Sequence, residues 1–360
     1  MNLKILTFHR AINYGAVLQA YALYRFISSQ FPDTEVCIYD YQNQRIEKMY
    51  QYRFDVKNLK TSIRRLLEFP GICKRRKRVL GFVYSNIKTS AEISDNDCFI
   101  VGSDQVWNYD CSDFDTTYFL DFIHQRKNKN AYAASFGTDE IPPRYIEQYK
   151  KLLEEFNHIS VREEAGKKII QTLFGRDVPV VLDPTLLLNK NDWQTIMPKL
   201  ETPKKYILVY AFTITDTMAE FINSISGEYG MDVLVLMPSR SIKRWNILKN
   251  ASYNTAISPE EWLYFFFNAQ YIVTNSFHGT VFSIIFDKMF FVELLPPPAK
   301  VNSRFSNLLN LFHLQERMIQ RGKTVHQYRS IDYKQVHNIL EQERKKSLEY
   351  LQALIEDVNE

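Results

Sequence analysis

Tyr271-Ile272-Val273-Thr274-Asn275-Ser276-Phe277-His278-Gly279-Thr280 is the stretch whose reading decides the fold of this chain. Its first four residues are β-branched or aromatic, the composition of a strand buried in a sheet. The run then breaks into small polar residues, and helical spacing is expected over residues 280–286. A buried strand that empties into a helix start is half of a parallel crossover unit, and the first amides of such a helix attract an anion. Ser276 is placed to cap the helix and Gly279 to permit close backbone approach. His278 sits where an imidazole can exchange protons with a bound group. The plain alternative makes Ser276 only a cap and His278 a satisfied loop residue. Asn, Ser, His and Gly together at one junction favour a site.

The same alternation extends in both directions. Residues 4–9 read as the first strand, 10–16 as a loop, and 17–29 as a helix in which Leu18, Tyr21, Ala22, Arg25 and Phe26 recur at helical spacing. Further strands are expected at 35–39, 98–101, 131–135, 158–161 and 178–182, with a helix over 143–156. Pro198 and Pro203 mark a linker, after which the pattern restarts. Strands are expected at 206–211, 233–237, 271–274 and 290–294, and helices at 217–229 and 259–268. A long amphipathic helix is expected over 333–355. The expected fold class is therefore α/β, two Rossmann-like doubly wound domains facing a cleft. They span 1–200, with a basic helical insertion at 45–80, and 201–330, followed by a C-terminal helical segment at 331–360. Open sheets of this kind bind ligands at the carboxyl ends of their strands.

Composition narrows the classes. With 360 residues, 45% hydrophobic and 24% charged, the chain has the material for about two globular domains and is neither disordered nor collagenous. Cys37, Cys73, Cys98 and Cys111 form no CxxC pair, which argues against a disulfide framework or a zinc ribbon. The first residues turn polar too early for a signal-peptide core, and no apolar run is long enough to span a bilayer. A reduced, cytoplasmic protein is the expectation. Between Arg53 and Arg78 ten Lys and Arg residues face only Asp55 and Glu68. That run reads either as a solvated helix face or as an attraction to an anionic surface. The anionic surface is either a diphosphate-bearing substrate or the inner leaflet of the cell membrane, contacted peripherally. No nucleic-acid-binding signature accompanies it, so nucleic acid is not expected as a partner.

Other strand ends carry polar residues where apolar runs stop. In Phe99-Ile100-Val101-Gly102-Ser103-Asp104-Gln105-Val106-Trp107-Asn108, Gly102 and Ser103 mark a turn. Asp104 and Gln105 suit sugar hydroxyls, and Trp107 either stacks on a sugar ring or packs inward. In Phe8-His9-Arg10-Ala11-Ile12-Asn13-Tyr14-Gly15-Ala16, His9, Arg10 and Asn13 are expected to face the cleft, with Gly15 freeing the turn. The loop lacks the GxGxxG pattern, which argues against a nicotinamide dehydrogenase. Arg162 ends a strand as a bidentate holder of phosphate or carboxylate, or as an ion-pair partner of Glu163 or Glu164. Asp183 reads as a cap, an orienter or a base. Arg304 is a further anion holder or a surface salt bridge.

These segments, with Asn13-Tyr14-Gly15-Ala16-Val17-Leu18-Gln19-Ala20, Ala134-Ser135-Phe136-Gly137, Ser160-Val161-Arg162-Glu163, Leu182-Asp183-Pro184-Thr185 and Asn275-Ser276-Phe277-His278-Gly279, resemble the polysaccharide pyruvyl transferase family. They occur in the family's order over residues 3–310. The resemblance implies a fold similar to that of type B glycosyltransferases, with the acceptor on the first domain and the donor on the second. It implies transfer of a pyruvyl group from phosphoenolpyruvate onto a sugar of a surface-polysaccharide precursor, free or lipid-linked, as a cyclic ketal with release of phosphate. In that scheme Arg162, Arg304, Asn275, Ser276 and Gly279 hold the donor, His278 moves the proton, and Asp104 or Asp183 assists. His9, Arg10, Asn13, Gly15, Ser103, Gln105 and Trp107 face the acceptor. No cofactor or metal is expected to be required. Ala16 stands where better-known members carry an acid after the glycine, so that acid's role does not carry over. The competing readings are a nucleotide-sugar-dependent glycosyltransferase and a non-catalytic glycan-binding module.

Overall fold

A computed structural model describes residues 2–49, 59–201, 204–236, 247–295 and 302–359, the side chains of 49, 59–68 and 359 excepted. Arg53, Lys57, Pro203 and Met237 lie outside the described residues, as do the side chains of Lys60, Arg64 and Arg65. The chain divides into two compact units, Met1–Leu188 with Gln342–Glu360, and Asn189–Glu341.

The first unit runs β1 (Asn2–Leu6), α1 (Tyr14–Gln30), β2 (Glu35–Tyr39), α2 (Gln44–Met49), α3 (Leu59–Asn86), β3 (Thr89–Ser90) and β4 (Cys98–Val101). It continues with α4 (Tyr109–Ser112), β5 (Lys129–Ala134), α5 (Ile146–Glu154), β6 (His158–Val161) and α6 (Glu164–Phe174). The strands form one parallel sheet in the order β3-β2-β1-β4-β5-β6. At its centre Ile5 lies opposite both Ile38 and Ile100, all three fully buried. Helices cover both faces, so these strands read as continuous apolar runs.

The second unit holds α7 (Lys190–Gln194), β7 (Tyr206–Tyr210), α8 (Asp216–Tyr229), β8 (Asp232–Leu236), β9 (Ala251–Asn254), α9 (Pro259–Asn268) and β10 (Tyr271–Thr274). Then follow α10 (Phe277–Ile285), β11 (Met289–Val292), α11 (Ser303–Leu311) and α12 (Tyr333–Asn359), whose end belongs to the first unit. Its parallel sheet has the order β11-β10-β7-β8-β9, with Val273 between Val209 and Phe291. Both sheets are doubly wound, and the order reverses between β1 and β4 in one and between β7 and β10 in the other. Loops leaving those strands are where such sheets hold ligands.

Local physics explains the departures from expectation. The units divide at 188 and 341, against expected boundaries at 200 and 330. Trp193 of α7 packs edge-on against Phe282, which ties 190–194 to the second unit. Arg344 donates to the carbonyls of Leu186 and Leu188, and Ser347 Oγ accepts from the Leu182 amide, which ties the end of α12 to the first. Helix α1 starts at Tyr14 because the Asn13 side chain accepts from the Gly15 amide, so the expected loop is shorter and Gly15 lies in the helix. Residues 178–182 form no strand. Val180 makes a single bridge to Val161, since Pro179 lacks an N–H and Pro184 follows closely. The basic run enters α3, whose Ile72, Val79, Phe82 and Val83 are buried while Lys74 and Lys77 are exposed.

Candidate active site

In the second unit the junction after β10 forms as a capped helix start. Ser276 Oγ accepts from the Gly279 amide at 3.4 Å, and the Thr274 hydroxyl accepts from the Ser276 amide at 3.0 Å while donating to the Tyr210 carbonyl at 2.6 Å. Gly279 is required for close approach: a Cβ there would stand 2.3 Å from Thr274 Oγ1 and 3.2 Å from the Tyr210 ring. Asn275 is fully buried and clamps the loop after β7, its Oδ1 accepting from the Phe212 amide at 2.7 Å and its Nδ2 donating to the Thr213 carbonyl at 2.8 Å. Its side chain is committed to the loop. His278 follows on α10, largely buried, its ring edge-on to Phe277 at 5.2 Å. The Arg304 guanidinium lies 5.6 Å from the centre of the same Phe277 ring. Helix α11 thus brings a buried cation to the first turn of α10, and Arg304 is no surface salt bridge.

A further carboxyl stands at the end of the neighbouring strand. Glu293 follows β11, its amide bonded to the Thr274 carbonyl. The hydroxyl of Thr215, the cap of α8, lies 2.7 Å from each Glu293 oxygen. Burial raises its pKa above the usual carboxylate range, against the lowering effect of the Thr215 bond. Sequence reasoning missed Glu293, although a charged residue directly after Phe290-Phe291-Val292 is the same signal that marked the other strand ends.

In the first unit the structure gathers Asp104, Arg162, Glu163 and Asp183. Arg162 donates to Asp183 at 2.6 Å and stands 3.6 Å from Asp104 and 3.7 Å from Glu163. Burial works to lower the guanidinium pKa, but the three carboxylates outweigh it and hold it above its ordinary value. A cation already facing three anions has little attraction left for a fourth. The ion-pair reading of Arg162 holds with Glu163, and Asp104 and Asp183 join it. Asp183 is buried and occupied: one oxygen accepts from Arg162, the other from the Thr185 amide at 3.0 Å and hydroxyl at 2.5 Å. Of its three readings, the cap holds, through the Thr185 amide. Asp104 takes a left-handed backbone, φ 69°, beside the start of the loop.

The residues expected at the acceptor mostly build the loops themselves. His9 is fully buried, with Nδ1 3.1 Å from the Thr7 carbonyl and Nε2 2.9 Å from Asp40 Oδ1. Arg10 donates to Asp40 at 2.9 Å and to Glu47 at 3.3 Å, and also contacts Tyr84. These bonds, led by that from His9, hold the Asp40 carboxyl down at about 2 against the effect of burial. Ser103 is buried and donates to the Ala133 carbonyl, while the Thr7 hydroxyl donates to the Ser103 carbonyl. Trp107 packs inward: it is fully buried, donates to the Tyr118 carbonyl and stacks on Phe119. An indole with an apolar pocket and a carbonyl for its N–H belongs in a core. Gln105 is half-buried and accepts from Asn108, and Asn13 is exposed beyond its capping bond.

Among the described residues no group of three or more His, Cys, Asp or Glu side chains is placed to hold a metal ion, and no helix is long and apolar enough to cross a membrane.

No curated protein matches the chain. Among solved structures it is similar to Escherichia coli heptosyltransferase WaaC with ADP, at 11% identity over 84% of this chain and 89% of that one, TM-score 0.41. It is similar to UDP-GlcNAc 2-epimerase from Neisseria meningitidis, at 10% identity over 99% and 94%, TM-score 0.45. A putative UDP-N-acetylglucosamine 2-epimerase from Listeria monocytogenes aligns at 9% identity over 98% and 88%, TM-score 0.49. Likenesses at this level carry no argument about activity. The family model described as polysaccharide pyruvyl transferase matches residues 13–292, which include Asp104, Arg162, Asp183 and the junction after β10. By that match the chain belongs to the polysaccharide pyruvyl transferase family and is a transferase.

Proposed function

We propose that the protein transfers the pyruvyl group of phosphoenolpyruvate onto two hydroxyls of a sugar, forming a cyclic ketal and releasing phosphate. The observation that carries the reading is the first turn of α10, where a buried guanidinium, Arg304, and the imidazole of His278 flank Phe277. Phosphoenolpyruvate carries a phosphate and a carboxylate, and a helix start beside an arginine suits either anion. The balance of the reaction is simple. One sugar hydroxyl loses its proton as its oxygen bonds to the central carbon, and the methylene gains a proton to become a methyl. The phosphate–carbon bond breaks, the second hydroxyl oxygen takes that place on carbon, and its proton leaves with phosphate. His278 is the group proposed to move the first proton, a task for which an imidazole is suited near neutral pH. Glu293, which follows β11 beside β10, is the proposed assisting carboxylate on the same sheet. The reaction as written consumes no redox equivalent.

The test is direct. Incubation with phosphoenolpyruvate and a panel of galactose-, glucose- and mannose-type glycans is expected to release phosphate and add pyruvate to one acceptor. Phosphoenolpyruvate is expected to raise the melting temperature, and uridine or guanosine diphosphate is not. A shift with the nucleotides alone would replace this reading with nucleotide-sugar glycosyl transfer.

A further inference from the structure

Two lysines of the second unit share one aromatic ring. Lys288 Nζ lies 5.4 Å and Lys190 Nζ 5.6 Å from the centre of Phe267, which itself meets Phe286 edge-on. The three residues come from separate elements: Lys190 opens α7, Phe267 is near the end of α9, and Lys288 stands directly before β11. The backbone of Lys288 is held on two sides. Its amide donates to the Ser283 carbonyl of α10 at 2.9 Å, and its carbonyl accepts from the Tyr333 hydroxyl of α12.

The two amines differ in their partners. Lys190 donates to Asp287 Oδ2 at 2.9 Å, and the other oxygen of that carboxylate lies 2.7 Å from His337 Nε2. Asp287 is thus engaged through both oxygens. Among the described residues the Lys288 ammonium has no hydrogen-bond or ion-pair partner, only the ring. Lys288 is half-buried, so its charge is poorly hydrated while one side stays open to a small reagent. The face of Phe267 offsets part of that cost, and the nearby Lys190 adds to it. Burial first, and then Lys190, bring the Lys288 amine down to about 8, against the raising effect of Asp287.

We infer that Lys288 is a modification site, the lysine of this protein that activated acyl groups acylate first. The neutral amine attacks the carbonyl carbon of an acyl phosphate. A nitrogen–carbon bond forms, the bond from that carbon to the phosphate oxygen breaks, phosphate leaves with the electron pair, and the nitrogen gives one proton to solvent. The step consumes no redox equivalent. Its product is a neutral amide, which suits a place that disfavours charge and relieves Lys190 of a like-charged neighbour. At about pH 7.5 an amine of this kind holds on the order of a hundredfold more free base than an ordinary lysine. Lys288 lies at the amino end of β11 and Glu293 follows its carboxyl end, so the inference is independent of the proposed pyruvyl transfer.

The experiment incubates the intact chain with acetyl phosphate at about pH 7.5 and follows each lysine by peptide mass spectrometry. Lys288 is expected to acetylate about tenfold or more faster than Lys74 and Lys77, which are exposed on α3. Unfolding in guanidinium chloride is expected to abolish the difference. Lys190→Met removes the second cation and frees Asp287 to pair with Lys288, so it is expected to slow the reaction about fivefold or more. Asp287→Asn removes the carboxylate that holds the amine up, and is expected to speed it about two- to threefold. Asn tolerates the left-handed backbone of that position, φ 56°. Equal rates at Lys288, Lys74 and Lys77 in the folded wild type overturn the inference, whatever the variants do. So does a preference for Lys288 that survives unfolding, or one that neither substitution moves.

Discussion

The junctions after β4 and after β10 start alike and end differently. Each follows a buried strand beside the reversal point of its sheet, and each opens with small polar residues. After β4 the polar groups are spent on holding the loop: Ser103 on Ala133, and the Trp107 N–H on Tyr118 in the core. After β10 the cap and the clamp, Ser276 and Asn275, are likewise structural, but they leave His278 and Arg304 gathered at the first turn of a helix. The lesson is that polar strand ends divide into those that build a loop and those that the built loop presents.

Substitutions test that division, and the largest effect is expected in the first unit. Arg162→Met leaves Asp183, Asp104 and Glu163 buried without their cation, at an expected cost of about 3–5 kcal/mol by denaturant unfolding. A variant that kept full stability and lost only phosphoenolpyruvate binding would erase the contrast. His278→Ala is expected to do the reverse, lowering phosphate release by about 10²–10⁴-fold with little change in melting temperature.

Asp40→Asn is expected to cost about 1–2 kcal/mol at neutral pH, since it removes charged bonds from His9 and Arg10 in a partly exposed setting. Because the Asp40 carboxyl is held down at about 2, its stabilisation is present at neutral pH and is lost as pH falls from the ordinary carboxylate range through that value. The variant should therefore show a flatter acid limb in a melting-temperature profile. Glu293 has the opposite sign. Its pKa is raised, so the folded state favours the protonated form and stability falls as pH rises through the raised value. Glu293→Gln is expected to stabilise at neutral pH by less than about 1 kcal/mol, with a proton-transfer defect in the pH profile of turnover if the carboxyl takes part.

Much of the architecture was legible because buried parallel strands advertise themselves. β6, α9 and β10 appear with the expected bounds, since each is a short apolar or capped run with sharp ends. β9, Ala251-Ser252-Tyr253-Asn254, was not legible: an edge strand carries polar residues that look like loop. Residues 178–182 misled in the other direction, for apolarity alone does not supply the amide that Pro179 lacks. The site followed the same logic. Ser276 as a cap and Gly279 as a point of close approach could be read from residue type and position, because both effects are local.

By itself, the sequence determined the α/β class, the series of strand ends and the family, because hydrophobic period and capping chemistry act over a few neighbouring residues. Only the tertiary structure decided that Arg162 faces three carboxylates, that Trp107 turns inward, that Arg304 meets Phe277, and that Tyr41 and Asn43 share Asp115. Arg162 and Asp183 are 21 positions apart and Tyr41 and Asp115 are 74, and such a side chain's partner is set by which loops the sheet order brings together. That is a property of the packed chain, and no local pattern encodes it.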